Sequence, residues 1–425
     1  MLASKLKEEI AAGKQDSRLE ELYGSRAQAQ KGRYDKALDT FTDLYGDKDV
    51  KIISVPGRSE VIGNHTDHQR GEVLATSIDL DIIAVVSPRE DGIVKVLSDD
   101  YDLPAIDLAD LSVHENEKET SQALIRGVAA KIKEDGGNIG GFDGYMTSDV
   151  LQGSGLSSSA AFEVMIGNIF SDLYNEGNLD PVELAKIGQY AENVFFGKPC
   201  GLMDQSACSV GGLIHIDFAD KDNPFVEKVD VDFSDFNTSL CITDVHASHA
   251  DLTQDYADVP YELKVVDEFF DKDVLREVSE EEFYARLPEL RDTVKNDRAL
   301  LRAIHVFEEN KRVQKAVKAL NEGDLEGFEK QILASGNSSY KYLQNIYSPS
   351  DYKNQAVSLA LALSELVLNG RGAHRVHGGG FAGTIQAFVP NDLVDAYREE
   401  MDRIFGEGAC HVLQIRPFGG IEVFA

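Results

Sequence analysis

The sequence predicts an α+β fold, and three observations carry that prediction. Two apolar, β-branched runs, 81–87 and 93–98, are joined by the turn-forming PREDG. Apolar residues at helical spacing follow, at Phe162, Met165, Ile166, Ile169, Phe170 and Leu173. A mostly helical stretch, 258–368, then gives way to strand, helix and strand at 384–389, 392–405 and 411–415. Hairpins mixed with helices, rather than a regular strand–helix alternation, define the class.

Residues 1–46 read as polar helices, with Leu38, Phe41 and Leu44 at helical spacing, and are expected to cap the N-terminal half of the fold. Residues 51–55 form a short strand. PREDG, with Asp91-Gly92 as turn residues, predicts a hairpin between 81–87 and 93–98. A helix begins after Gly155. The next opens at Asp180-Pro181 with Glu183 placed as a reciprocal cap, its stripe running through Leu184, Ile187, Ala191 and Val194. Residues 212–218 and 239–243 read as strands.

Composition bounds the function. The 425 residues are 42% hydrophobic, enough for a sizeable core and for more than one domain. No apolar run reaches the roughly 18 residues of a membrane span. The N-terminal MLASKLKEEIAAGK has neither the apolar core nor the cleavage site of a signal peptide, so a cytoplasmic protein without membrane attachment is expected. Four cysteines without CxxC spacing give neither a disulfide framework nor a zinc site. A net charge of −32 argues against nucleic acid and is otherwise the mark of a well-solvated surface.

Four segments carry chemistry. Gly153-Ser154-Gly155-Leu156-Ser157-Ser158-Ser159-Ala160 enters a helix, where unpaired N–H groups and the helix dipole favour an oxyanion. The three serines add hydroxyls for phosphate or Mg²⁺, so phosphates can be held without many lysines; a capped turn is the plainer alternative. It is neither a P-loop nor a dinucleotide fingerprint. Pro56 to His68 (PGRSEVIGNHTDH) packs one Arg, two His, an Asp and an Asn into the loop after a strand, dense enough to bind several sugar hydroxyls. His65 and His68 as metal ligands lack a third partner nearby. Gly378-Gly379-Gly380-Phe381-Ala382-Gly383 precedes a strand and marks a close approach of backbone to ligand or to another segment, or a tight turn. In Gly197 to Gln205 (GKPCGLMDQ), Asp204 is either a helix cap or a base for phosphoryl transfer paired with Arg58.

In this order the segments resemble the GHMP kinase superfamily and, within it, the galactokinase family. The family's PxxxGLSSSA is nearly intact from Gly155 to Ala160, and its GGGFGG has Ala382 for one glycine. Its GRxNLIGEHTDY is matched by Gly57, Arg58, Ile62, Gly63, His65, Thr66 and Asp67, and its PCGxMDQ by Pro199 to Gln205. The resemblance runs from about residue 35 to the end. It implies a two-lobed fold: an N-terminal lobe over 1–235 with a mixed sheet and helices, and a C-terminal lobe over 236–425 with an antiparallel sheet and helices, nucleotide and sugar meeting between them. The implied activity is ATP-dependent phosphorylation of the anomeric hydroxyl of galactose, by a monomer or weak oligomer. Asp204 would be the base and Arg58 its orienting cation. Gly153 to Ser159 and Gly378, Gly379 and Gly380 would bind ATP, and Ser159 and Glu192 would hold Mg²⁺. Asn64, His65, Asp67, Gly201 and Tyr256 would bind the sugar.

Departures fall at Leu151-Gln152, where the family has proline, at His68 for tyrosine, and at Asn64 for a glutamate near the sugar's C6 hydroxyl. Tyr256 lies in QDYADVPY, without the arginines that follow the family's EYN. An amide at 64 still suits galactose and removes repulsion against a charged C6, so galacturonate and N-acetylgalactosamine are the alternative substrates. A non-catalytic sugar and ATP sensor is the alternative of another class; retention of Arg58 with Asp204 favours an enzyme. The HTD loop argues against a mevalonate or homoserine kinase.

Overall fold

The computed structural model describes residues 1–99, 101–150, 156–221, 223–231, 233–246 and 252–424. Three helices lead, α1 (Ala3–Ala11), α2 (Asp16–Tyr23) and α3 (Ala27–Tyr45). The first sheet follows, with β1 (Lys51–Ile62), β2 (Glu72–Pro88), β3 (Ile93–Ser98), β4 (Tyr101–Asp102) and β5 (Ile106–Asp107). Next come α4 (Ser121–Glu134), β6 (Phe142–Ser148), α5 (Ser158–Tyr174), α6 (Pro181–Tyr190), α7 (Met203–Val210), β7 (Leu213–Asp217) and β8 (Phe225–Val229). The second half comprises β9 (Thr238–Asp244), α8 (Thr253–Phe269), α9 (Glu280–Ala285), α10 (Leu287–Val294), α11 (Asp297–Asn321), α12 (Leu325–Ser338) and α13 (Ala356–Leu368). It ends with β10 (Ala373–His377), β11 (Thr384–Pro390), α14 (Val394–Phe405), β12 (Cys410–Leu413) and β13 (Ile421–Glu422).

The main path of the first sheet is β13-β1-β2-β6-β3-β4, and the second sheet runs β10-β11-β9-β12. Side chains alternate across the first sheet. Ile53, Val55, Ile82, Ala84 and Val86 face α4 and α5, whereas Ile52, Ile83 and Val85 face α1–α3. A sheet covered on both faces needs an unbroken apolar strand, which is why 82–86 reads IIAVV. The expected N-terminal cap is therefore a full layer. Leu6, Ile10, Leu19, Leu38 and Phe41 are buried in it, each worth about 1.5–3 kcal/mol of burial. Leu44 is exposed instead, and Tyr45 packs in its place.

Three local expectations are corrected. The 81–87 and 93–98 runs are strands but not a hairpin, because β6 lies between them, antiparallel to β2 and parallel to β3. Arg89 steers the chain across: its N–H donates to Gly141 O at 2.8 Å and its guanidinium pairs with Asp143 at 2.8 Å. With α4 as the crossover, β3 and β6 form one strand–helix–strand unit. Val194 leaves the apolar stripe of α6 because the helix widens to π geometry over Ala191–Phe196, which buries Phe195 instead. A division at 235/236 assigns the tail to the wrong lobe: β13 pairs with β1, and Val423 N–H donates to Ile52 O at 2.7 Å. Among the described residues no helix is long and apolar enough to cross a membrane.

Candidate active site

Arg58 and Asp204 meet as the sequence suggests. The β1–β2 register shifts between Pro56 and Arg58, and such a bulge re-aims the side chain that follows it. Arg58 Nε donates to Asp204 Oδ1 and Nη2 to Oδ2, both at 2.7 Å, a two-pronged charge-assisted pair. Asp204 lies in the first turn of α7, where the helix dipole favours an anion. Burial alone pushes its carboxyl upwards, but the charge and hydrogen bonds of Arg58 and the Ser157 hydroxyl outweigh it and hold it below the ordinary range. Its side chain nonetheless stays 32% exposed, so one side faces open space.

Among the described residues, no side chain caps the start of α5. Ser157 precedes the helix at φ 54°, an uncommon left-handed conformation for serine, and makes no side-chain bond to the helix N–H groups. Its hydroxyl donates to Asp204 Oδ2 instead. That disfavours the capped-turn alternative and leaves helix N–H groups for an anion. Leu156 turns into the core, and its carbonyl accepts from Arg58 N–H at 3.2 Å. Ser158 and Ser159 open the helix, with Ser159 exposed. Gly153, Ser154 and Gly155, with Leu151 and Gln152, lie outside the described residues.

Behind this helix start two buried carboxylates share one amide. Gln205 Nε2 donates to Glu163 Oε2 at 2.9 Å and to Glu192 Oε2 at 3.0 Å. Burial, then the neighbouring Glu192, push the Glu163 carboxyl up to about 9, and its Oε1 has no hydrogen-bond partner among the described residues. Lys198 Nζ stands 3.9 Å from Glu192 Oε1. The Glu192 carboxylate, its Oε2 held by Gln205, is an oxygen ligand of the kind a hard divalent cation takes. Glu163 and Gln205 went unread in the sequence; the available signal was a carboxylate one helical turn after Ser159, inside an otherwise apolar run.

The loop after β1 and the glycine triplet close on each other. Gly378 O accepts from Asn64 Nδ2 at 2.7 Å, Gly379 O meets His65 Nε2 at 2.9 Å, and Gly380 O accepts from the Tyr256 hydroxyl at 2.7 Å. The close approach is therefore to another segment. A Cβ on Gly379 would stand 2.6 Å from the Tyr256 ring. Asn64 departs from the expectation of a sugar-facing amide. It is 1% exposed, with Nδ2 donating also to Glu60 at 3.1 Å and Oδ1 accepting from Asn345 at 2.8 Å. Its amide is fully used in joining the lobes. Asp67 and Gly201 do face each other, since a Cβ on Gly201 would lie 2.9 Å from Asp67 Oδ2. Burial drives the His68 imidazole down to about 4, and neither of its nitrogens has a hydrogen-bond partner among the described residues.

Comparison with known proteins places two family models on the chain and finds solved structures of similar fold. The GHMP kinases N terminal domain model matches residues 123–212, and the galactokinase galactose-binding signature matches 39–88. The structure of Lactococcus lactis galactokinase complexed with galactose is similar, at TM-score 0.74 and 27% identity, over 90% of this chain and 98% of that one. Mevalonate kinase from Methanococcus jannaschii shares the fold at TM-score 0.61 and 17% identity, over 86% and 98%. A D-glycero-D-manno-heptose 1-phosphate kinase from Bacteriodes thetaiotaomicron does so at TM-score 0.57 and 15% identity, over 88% and 99%.

Proposed function

The chain belongs to the galactokinase family of the GHMP kinases, and from that membership and the geometry of its site we propose that it transfers the γ-phosphate of ATP to the anomeric hydroxyl of galactose. The observation that carries the proposal is the Arg58–Asp204 pair, its Asp204 side chain 32% exposed and bonded to Ser157, the serine just before α5. The sugar's anomeric hydroxyl donates to the open side of Asp204. Asp67 and Gly201 flank it, and His65 and Tyr256 shape the wall that the glycine triplet closes.

The phosphates of ATP lie at the start of α5, against its uncapped N–H groups and Ser158 and Ser159. Phosphoryl transfer needs alignment and charge neutralisation more than strong base catalysis. Arg58 keeps Asp204 ionised, and Asp204 takes the hydroxyl proton late, as the bond to phosphorus forms. Ser159 and Glu192 would hold Mg²⁺, which when bound neutralises the β- and γ-phosphates. Galactose is the substrate the family signature favours. Galacturonate has lost its particular argument, because the Asn64 amide is committed within the protein.

The test is ADP release from MgATP with galactose, galacturonate and N-acetylgalactosamine in parallel. Turnover on galactose that falls by about 10²- to 10⁴-fold in Asp204→Asn is expected. Turnover on another sugar alone would overturn the substrate. Sugar binding without turnover on any of the three would make the protein a sensor.

A further inference from the structure

Gln205 and Glu163 have no role in the reaction as described so far. We propose that Gln205, braced by Glu163, is a positioning residue that holds the Glu192 carboxylate in the orientation its cation requires; the inference rests on the kinase reading above. Gln205 Nε2 donates to one oxygen of each acid at 2.9 and 3.0 Å, with Cys200 Sγ a longer contact at 3.6 Å. Glu192 Oε2 is thereby pinned, and Oε1 is left on the side of Lys198. Without Glu163, Gln205 would keep one anchor and its amide could turn over. Without Gln205, Glu163 and Glu192 would lose the donor they share.

The three residues are 1%, 5% and 1% exposed for Glu163, Glu192 and Gln205, so water does not replace these bonds. Each comes from a different reacting segment. Glu163 lies one turn beyond Ser159 on α5, and Gln205 follows Asp204 on α7. Glu192 sits in the π-helical turn, whose register is fixed as its carbonyl accepts from Gly197 and Lys198 N–H at 2.9 and 3.1 Å. One amide therefore ties together the segments bearing Ser159, Asp204 and Glu192. The bond to Gln205 is the one hydrogen bond found for the Glu163 carboxylate among the described residues. A buried carboxyl with so few hydrogen bonds burdens the fold, and an apolar residue of that volume would pack more favourably. Orienting Glu192 accounts for its presence.

The experiment compares Gln205→Met, Glu163→Leu and Glu163→Gln in two readouts: the Mg²⁺ concentration for half-maximal ADP release, and calorimetric binding of MgADP alone. Loss of an outer-shell partner weakens metal affinity by about 10- to 100-fold. That rise in half-saturation, with matching weaker MgADP binding and an unchanged KM for galactose, is expected for Gln205→Met and Glu163→Leu. Glu163→Gln retains a carbonyl oxygen to accept from Gln205 and is expected to stay close to wild type in both readouts. Unchanged Mg²⁺ dependence in Gln205→Met overturns the proposal. So does a Glu163→Gln variant as damaged as Glu163→Leu, which would make the charge of Glu163, not its hydrogen bond, what the cation requires. Glu163→Gln preserves volume and decides the matter even where Gln205→Met fails to fold. A wild-type protein that releases no ADP refutes the kinase reading, and MgADP binding still separates the variants.

Discussion

Arg58 with Asp204, at the cleft, and Arg416 with Asp81, between the first sheet and the N-terminal helices, are the same chemical pair in two settings. Asp81 is fully buried, and its carboxylate is surrounded. Oδ1 accepts from Arg33 at 2.6 Å, while Oδ2 accepts from the Tyr23 hydroxyl at 2.6 Å, from Ser54 and from Arg416 at 3.1 Å. Asp204 has comparable partners in Arg58 and Ser157 yet keeps 32% of its side chain exposed. In both, burial raises the carboxyl and arginine charge brings it below its ordinary value. The difference is spare capacity. Asp81 has no room for a substrate and ties four chain segments together; Asp204 has one open side and can meet a hydroxyl.

The largest expected effect separates the two pairs by stability. Arg416→Met leaves the Asp81 carboxylate buried with one cation fewer, and breaking such a pair costs about 3–5 kcal/mol. Denaturant unfolding should show that loss, while kcat of the folded fraction stays at the wild-type value. Arg58→Met should do the reverse. Removing a donor of this kind costs about 10²- to 10³-fold in kcat. Unfolding should change far less, because water can solvate the partly exposed Asp204. A variant of Arg416 that lost rate at full stability would erase the distinction.

The cleft pair was legible in the sequence because each member lies in a dense local motif: Arg58 beside a glycine after a strand, Asp204 inside PCGLMDQ. Their separation of 146 residues did not matter once both motifs were recognised. The Asp81 cluster was not legible, since Tyr23, Arg33, Ser54 and Arg416 share no spacing and only the tertiary fold assembles them. The α5 stripe and the Asp180 cap of α6 are set by adjacent residues and were read; Asp180 accepts from Val182 and Glu183 N–H at 2.8 and 3.2 Å. Glu183 does not close the reciprocal half, as its carboxylate pairs with Lys186 at 2.9 Å. Strand neighbours were the weakest point, because β-branched runs declare a strand without declaring its partner. Asn64 was misread for a related reason. A polar residue in a binding loop looks available until the opposite lobe, here Gly378 and Asn345, is in place.

The smallest expected effect is in pH dependence, and it sharpens the comparison most. Asp81 is held below its ordinary value of 3.8, so its contribution to stability is complete above that value and is lost as pH falls through its lower native pKa. In Arg416→Met one of the two depressing charges is gone, so the acid loss of stability should begin at a higher pH than in the wild type. Thermal melts between about pH 2 and 6, the range that brackets ordinary carboxylates, would show it. For Asp204 the same reasoning applies to rate. Without Arg58 its carboxyl rises, so the acid limb of kcat/KM should move to higher pH in Arg58→Met. If Arg416→Met also moved the acid limb of kcat/KM, the two clusters would be coupled through β1 and β2, and one open carboxylate against one closed would no longer separate chemistry from architecture.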